Sequence, residues 1–133
     1  MTLIATCHCG ATKIELPRHP TEAASCNCTY CARAGAVWAY YAPGELTFLS
    51  RSDERSYSTA PEIHQHYFCG NCGMQTWGDS PDWASLYNAD GTPKDGAGGG
   101  IPAQRKFGLN LRLVDDIDWS KVTVEQLDGR HNW

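Results

Sequence analysis

Residues 69–73 read Cys-Gly-Asn-Cys-Gly. Glycine follows each thiol, and glycine adopts positive φ without strain. Gly70 and Gly73 therefore permit a tight turn that aims backbone N–H groups at sulfur. This is the form of a zinc knuckle, which supplies two of the four ligands of a tetrahedral site. A matching pair, Cys7-His8-Cys9-Gly10, lies about sixty residues earlier. Each pair follows a strand-like run. A structural zinc held by Cys7, Cys9, Cys69 and Cys72 would staple two hairpin ends together. The alternative is four buried or unrelated cysteines.

The chain has seven cysteines, so three remain. They are crowded into "CNCTYCARAG", residues 26–35. Cys26, Cys28 and Cys31 give three ligands with one position open, the signature of a catalytic zinc. A second structural zinc closed by a histidine, or no metal at all, are the other readings. The histidines available are His8, His19, His64, His66 and His131. His64 and His66, paired on one strand face before Cys69, are the best placed. Three thiolates more than neutralise Zn²⁺, which weakens it as an activator of water. Such a site suits a fourth sulfur, and a bound thiolate adds readily to an aldehyde carbonyl. Nucleobase deaminases also use three-cysteine zinc, but with an H-x-E motif. No H-x-E occurs in this chain. Arg33, two residues after Cys31, is close enough to line the open site and to pair with a substrate carboxylate.

The whole chain sets the frame. Its 133 residues make one ordinary domain that can bury a real core. A net charge of −4 disfavours a general nucleic-acid binder. The start carries no basic region followed by an apolar run, and no apolar stretch reaches membrane-span length. The expectation is a cytoplasmic protein whose thiols stay reduced.

The pattern is β-rich. Thr2–Thr6 and Ala11–Leu16 read as strands, as do Lys106–Val114 and Lys121–Leu127. Ala36–Tyr41 and Glu45–Ser50 flank Pro43-Gly44 like a hairpin, and Ser56–Thr59 and Ile63–Phe68 suggest another pair. Met74–Trp77 makes a short strand. Helix is expected only at Thr29–Ala34, with Thr29 as its cap, and at Trp83–Asn88. The Gly-rich stretch 88–102 lacks the Lys-Ser/Thr ending of a phosphate loop and reads as a surface loop. No repeat or linker interrupts residues 1–133, which are taken as a single zinc-binding domain.

The segments "CHCGATKIEL", "CNCTYCARAG", "YFCGNCG", "NLRLVDDID" and the closing "LDGR" together resemble the glutathione-dependent formaldehyde-activating enzyme family, which includes centromere protein V. The resemblance runs from Cys7 to about Arg130. It implies an Mss4-like fold, mainly β, of several coiled antiparallel sheets with little helix. It implies a structural zinc on Cys7, Cys9, Cys69 and Cys72 and a catalytic zinc on Cys26, Cys28 and Cys31, two Zn²⁺ per chain. The implied activity is that of a carbon–sulfur lyase, joining glutathione to formaldehyde as S-hydroxymethylglutathione. Its partners would be a small thiol and a small aldehyde, with no nucleic acid and no membrane. The rival reading is a non-catalytic zinc module that binds a protein partner.

Overall fold

The structure, a computed structural model, describes residues 2–96 and 99–132. Ten strands and two short helices run in the order β1 (Leu3–Thr6), β2 (Thr12–Leu16), β3 (Glu22–Cys26), α1 (Thr29–Ala34), β4 (Trp38–Tyr41), β5 (Thr47–Arg51), β6 (Glu54–Tyr57), β7 (Gln65–Cys69), β8 (Gln75–Pro81), β9 (Arg105–Asn110), β10 (Thr123–Leu127) and α2 (Gly129–Asn132). Single 3-10 turns lie at Trp83–Ser85, Leu111–Leu113 and Trp119–Lys121. The fold is mainly β and Mss4-like. No helix among the described residues is long and apolar enough to cross a membrane.

The strands form two sheets. A three-stranded sheet runs β1-β2-β5, and a seven-stranded sheet runs β10-β3-β4-β9-β8-β7-β6. Every pairing is antiparallel except β10 with β3, which is parallel. Alternation in β2 shows how sequence sets the faces: Thr12, Ile14 and Leu16 are buried, while Lys13 is exposed. The core fills the space between the sheets. Leu3, Ala5, Ile14 and Leu16 from the small sheet meet Ala23, Ala39, Tyr41, Trp77 and Leu109 from the large one. Alternation then fixes the other face of the large sheet. Since Ala39, Trp77 and Leu109 point inward, Trp38, Tyr40, Gly78 and Gly108 lie on the outer side.

Several sequence expectations need correction. Ala36–Tyr41 and Glu45–Ser50 do not form a hairpin: β4 pairs with β3 and β9, and β5 pairs with β2. Tyr41 and Leu46 are both buried in the shared core. The chain therefore crosses between sheets through Gly44, at φ 93°, and does not fold back on one sheet. Strand β3, "EAASC", carries no strand signal in the sequence, because alanine and serine have little strand preference. The Thr29–Ala34 helix is present, but its cap is Cys28. Around Trp83 the chain makes only a 3-10 turn. In the Gly-rich stretch, Tyr87 and Pro93 form an isolated bridge; residues 97 and 98 lie outside the described residues.

Candidate metal centres and adjoining clefts

The turn between β1 and β2 meets the turn between β7 and β8. This brings the sulfurs of Cys7, Cys9, Cys69 and Cys72 within 4.8 Å of one another. Cys7 Sγ and Cys9 Sγ are 3.7 Å apart, and Cys9 Sγ and Cys69 Sγ are 3.6 Å apart. A tetrahedron with Zn–S bonds of about 2.3 Å has edges of about 3.8 Å. The donor set therefore fits zinc in chemistry and in spacing. Thr12 N–H donates to Cys7 Sγ at 3.2 Å. Burial opposes ionisation at Cys72, but the N–H groups of Met74 and Cys9 and the neighbouring thiols bring it down to about 6. Gly10 and Gly73 have φ of 83° and 79°. Gly70 does not take positive φ. It is required for another reason: a Cβ there would lie 2.6 Å from Arg55 Nε and 2.9 Å from Asp53 O.

The second cluster lies where β3 passes into α1. The sulfurs of Cys26, Cys28 and Cys31 also lie within 4.8 Å of one another. Local backbone geometry supplies their donors. Cys28 N–H points at Cys26 Sγ at 3.4 Å, and Cys31 N–H points at Cys28 Sγ at 3.2 Å. The second contact is a helix N-cap made by sulfur, which favours negative charge at that end. From β4, Trp38 Nε1–H reaches Cys31 Sγ at 3.4 Å. Burial nonetheless pushes the Cys31 thiol up to about 12, with the Trp38 donor opposing. Three close thiols cannot all ionise readily, and a bound divalent cation reverses that balance.

Among the described residues, no histidine joins either cluster. His19 contacts Pro20 O and accepts from Asp118 N–H. His131 pairs with Asp128, and His64 lies 3.1 Å from Ser58 Oγ. His66 stacks on Tyr30 with ring centroids 3.8 Å apart. His8 is exposed.

Two clefts open beside the large sheet, and no triplet cysteine lines either of them. One, about 480 Å³, lies between α1 and the edge strands and is lined by Tyr30, Arg33, Tyr57, His66 and Gln75. Tyr30 donates its hydroxyl to Gln75 Oε1. Arg33 donates to Thr29 O at 3.0 Å and opens onto this cleft. The other, about 400 Å³, includes Tyr40, Arg105 and Lys106. Trp38 and Tyr40 pack against Gly108, where a Cβ would come 3.2 Å from the Tyr40 ring. Lys106 Nζ sits 4.1 Å above that ring. Among the described residues, no carboxylate pairs with Lys106, whereas Arg105 is paired with Asp79. Although Tyr40 is 43% exposed, crowding at its hydroxyl, then the charges of Cys31, Cys26 and Cys28, push it up to about 12. Trp38 reaches the triplet through strand register, and in the sequence only its spacing of two from Tyr40 about a buried Ala39 hints at that shared face.

The family model for the glutathione-dependent formaldehyde-activating enzyme matches residues 2–92. The chain belongs to this family. A Rhodobacter sphaeroides protein, solved by crystallography in a structural genomics programme, shares the fold. It superposes with a TM-score of 0.61 at 23% identity, covering 92% of this chain and 99% of that one. No curated protein matches the chain by sequence. Family membership suggests glutathione-dependent formaldehyde activation, and the two cysteine clusters can hold metal ions.

Proposed function

We propose that the chain is a zinc-dependent carbon–sulfur lyase that joins or separates a small thiol, glutathione-like, and a small aldehyde, formaldehyde-like. The observation that carries the reading is the Cys26, Cys28 and Cys31 sulfur triplet, with no fourth protein ligand among the described residues and a cleft against the α1 helix that follows it. Zinc on these sulfurs would supply an open position suited to a substrate sulfur and would favour its thiolate form. The remaining work falls to the chain. The N–H groups of Cys28, Cys31 and Trp38 fix the three sulfurs and temper their charge. The substrate sulfur adds to the aldehyde carbon, the carbonyl electron pair moves to oxygen, and that oxygen takes up a proton. Arg33 orients the carboxylate of the thiol from the α1 cleft. Cys7, Cys9, Cys69 and Cys72 hold a second, structural zinc. All seven cysteines are free thiols, which suits a reducing compartment such as the cytoplasm.

Cobalt-substituted protein tests this reading, because cobalt–thiolate charge-transfer bands report sulfur ligation. Titration with glutathione or cysteine, but not with a thiol-free analogue, should intensify the bands. Thiol-dependent formaldehyde consumption should exceed that of Cys28→Ser. If no thiol perturbs the bands and none supports turnover above that control, the lyase reading fails and a protein-binding zinc module takes its place. A response to cysteine alone would keep the mechanism and change the substrate.

A further inference from the structure

Asn27 stands between two of the triplet cysteines, and its hydrogen bonds all run to one distant segment. Its N–H donates to Leu127 O at 3.1 Å. Its carbonyl accepts from Arg130 Nε at 2.9 Å. Its side-chain Oδ1 accepts from Arg130 N–H at 3.0 Å, and its Nδ2 donates to Asp128 Oδ1 at 2.9 Å. The first of these extends the parallel β10–β3 ladder, whose last register pair is Leu127 with Cys26. The partners are some hundred residues away in sequence, beyond the segment 2–92 that matches the family model.

We infer that the C-terminal segment Leu127–Arg130 is a latch that holds the Cys26–Cys31 loop in its metal-ligating conformation, with Asn27, Asp128 and Arg130 as positioning residues. The physical reason is the loop itself. Three ligands within six residues cross-link almost no chain, so the fold gains little rigidity from them. Cys26 ends β3 and Cys28 caps α1; Asn27 is the joint between them. Nothing in its own neighbourhood satisfies its backbone, and the latch engages both backbone groups and both side-chain atoms at once. A ligand set held by supporting hydrogen bonds binds its metal more tightly. Loss of such support commonly lowers metal affinity about 10- to 100-fold. Asn27 itself offers no soft donor to zinc. Its amide fits the latch because one end accepts and the other donates.

The inference rests on the triplet holding a metal, so two readouts are needed. The variants are Asn27→Ala, Arg130→Met and a chain ending at Leu127, with Asp128→Asn as the conservative control that keeps the accepting oxygen. The first readout is zinc release to a chromogenic chelator from the two-zinc protein. The three latch variants should release one zinc from a site weakened about tenfold or more. The other zinc and the melting temperature should stay near wild type for the point variants, and Asp128→Asn should behave like wild type throughout. The second readout is amide hydrogen exchange across 26–34 in protein stripped of any triplet metal. Exchange there should quicken in the latch variants and stay unchanged in β8 and β9. Unchanged zinc release together with unchanged exchange overturns the latch. So does loss of both zincs with global unfolding in Asn27→Ala and Arg130→Met, since the segment would then serve the whole fold. A wild-type protein with one zinc would sink the proposed catalytic site, and the exchange data alone would then decide the latch.

Discussion

His66 shows how one residue's surroundings set its charge state. Its ring is stacked on Tyr30 and lies 5.1 Å from His64, and Tyr57 and Arg33 line the same cleft. Burial, then the charge of His64, holds its imidazole down at about 4. The sign follows directly. Below the ordinary histidine pKa of about 6.5 the unfolded chain takes up a proton that folded His66 refuses. Stability contributed here is therefore complete above pH 6.5, is lost as pH falls toward 4, and changes no further below that. Partial exposure of the ring tempers the size of the loss. An NMR titration should place the His66 midpoint well below 6, and Tyr30→Ala should move it up toward 6.5. A wild-type midpoint at or above 6.5 would refute the account. At this scale the sequence was informative only where chemistry is written in residue type. Seven cysteines sort by spacing into the two groups that the fold brings together. A histidine on a strand does not, because its role depends on which ring covers it. The alternative in which a histidine closes the triplet, with His64 and His66 the best placed, gives way to a stack and a serine contact.

At the scale of elements, the two cysteine groups differ in what they join. Cys7 and Cys9 belong to the β1–β2 turn, while Cys69 ends β7 and Cys72 lies in the turn to β8. A metal there ties the small sheet to the large one. The triplet spans only the joint between β3 and α1. Cys69→Ser should therefore lower the melting temperature by about 10 °C or more, the scale of several kcal/mol in a domain this size. Cys28→Ser should keep a native circular dichroism spectrum and lose about one zinc per chain. Global unfolding of Cys28→Ser, or wild-type melting of Cys69→Ser, would break this division. Strands with alternating or β-branched patterns, such as β2 and β10, were legible nearly to the residue. The failures share a cause. The β4–β5 hairpin looked sound locally, but burial of Tyr41 and Leu46 between the sheets decides their pairing. Strand β3 has no signal of its own and exists because β10 and β4 flank it.

For the molecule as a whole, both cysteine clusters sit at the margins of the core, not within it. The apolar cluster between the sheets is continuous from Leu3 to Ile117, and the four-cysteine group bridges the two sheets beside it. The triplet lies on the outer face of the large sheet, past Trp38, and its cysteines are only partly buried. Of the other group, Cys7 and Cys69 are buried. A chelator therefore meets the two sites unequally. Metal on three sulfurs with an open position would be released by direct attack, whereas metal in a closed four-sulfur site would require the β1–β2 and β7–β8 turns to part first. Graded chelation should proceed in two steps. The first removes about one metal per chain with little change in circular dichroism or in near-ultraviolet tryptophan signal from the core. The second removes the other metal together with both signals, because binding and folding free energy are the same quantity at a site that tertiary structure assembles. Cobalt in place of zinc would let the first step be followed by its charge-transfer bands, and excess glutathione should slow that step by occupying the open position. A single cooperative loss of both metals with the fold would show that the triplet shares the staple's structural role, and would remove the separation of roles on which the proposed chemistry depends.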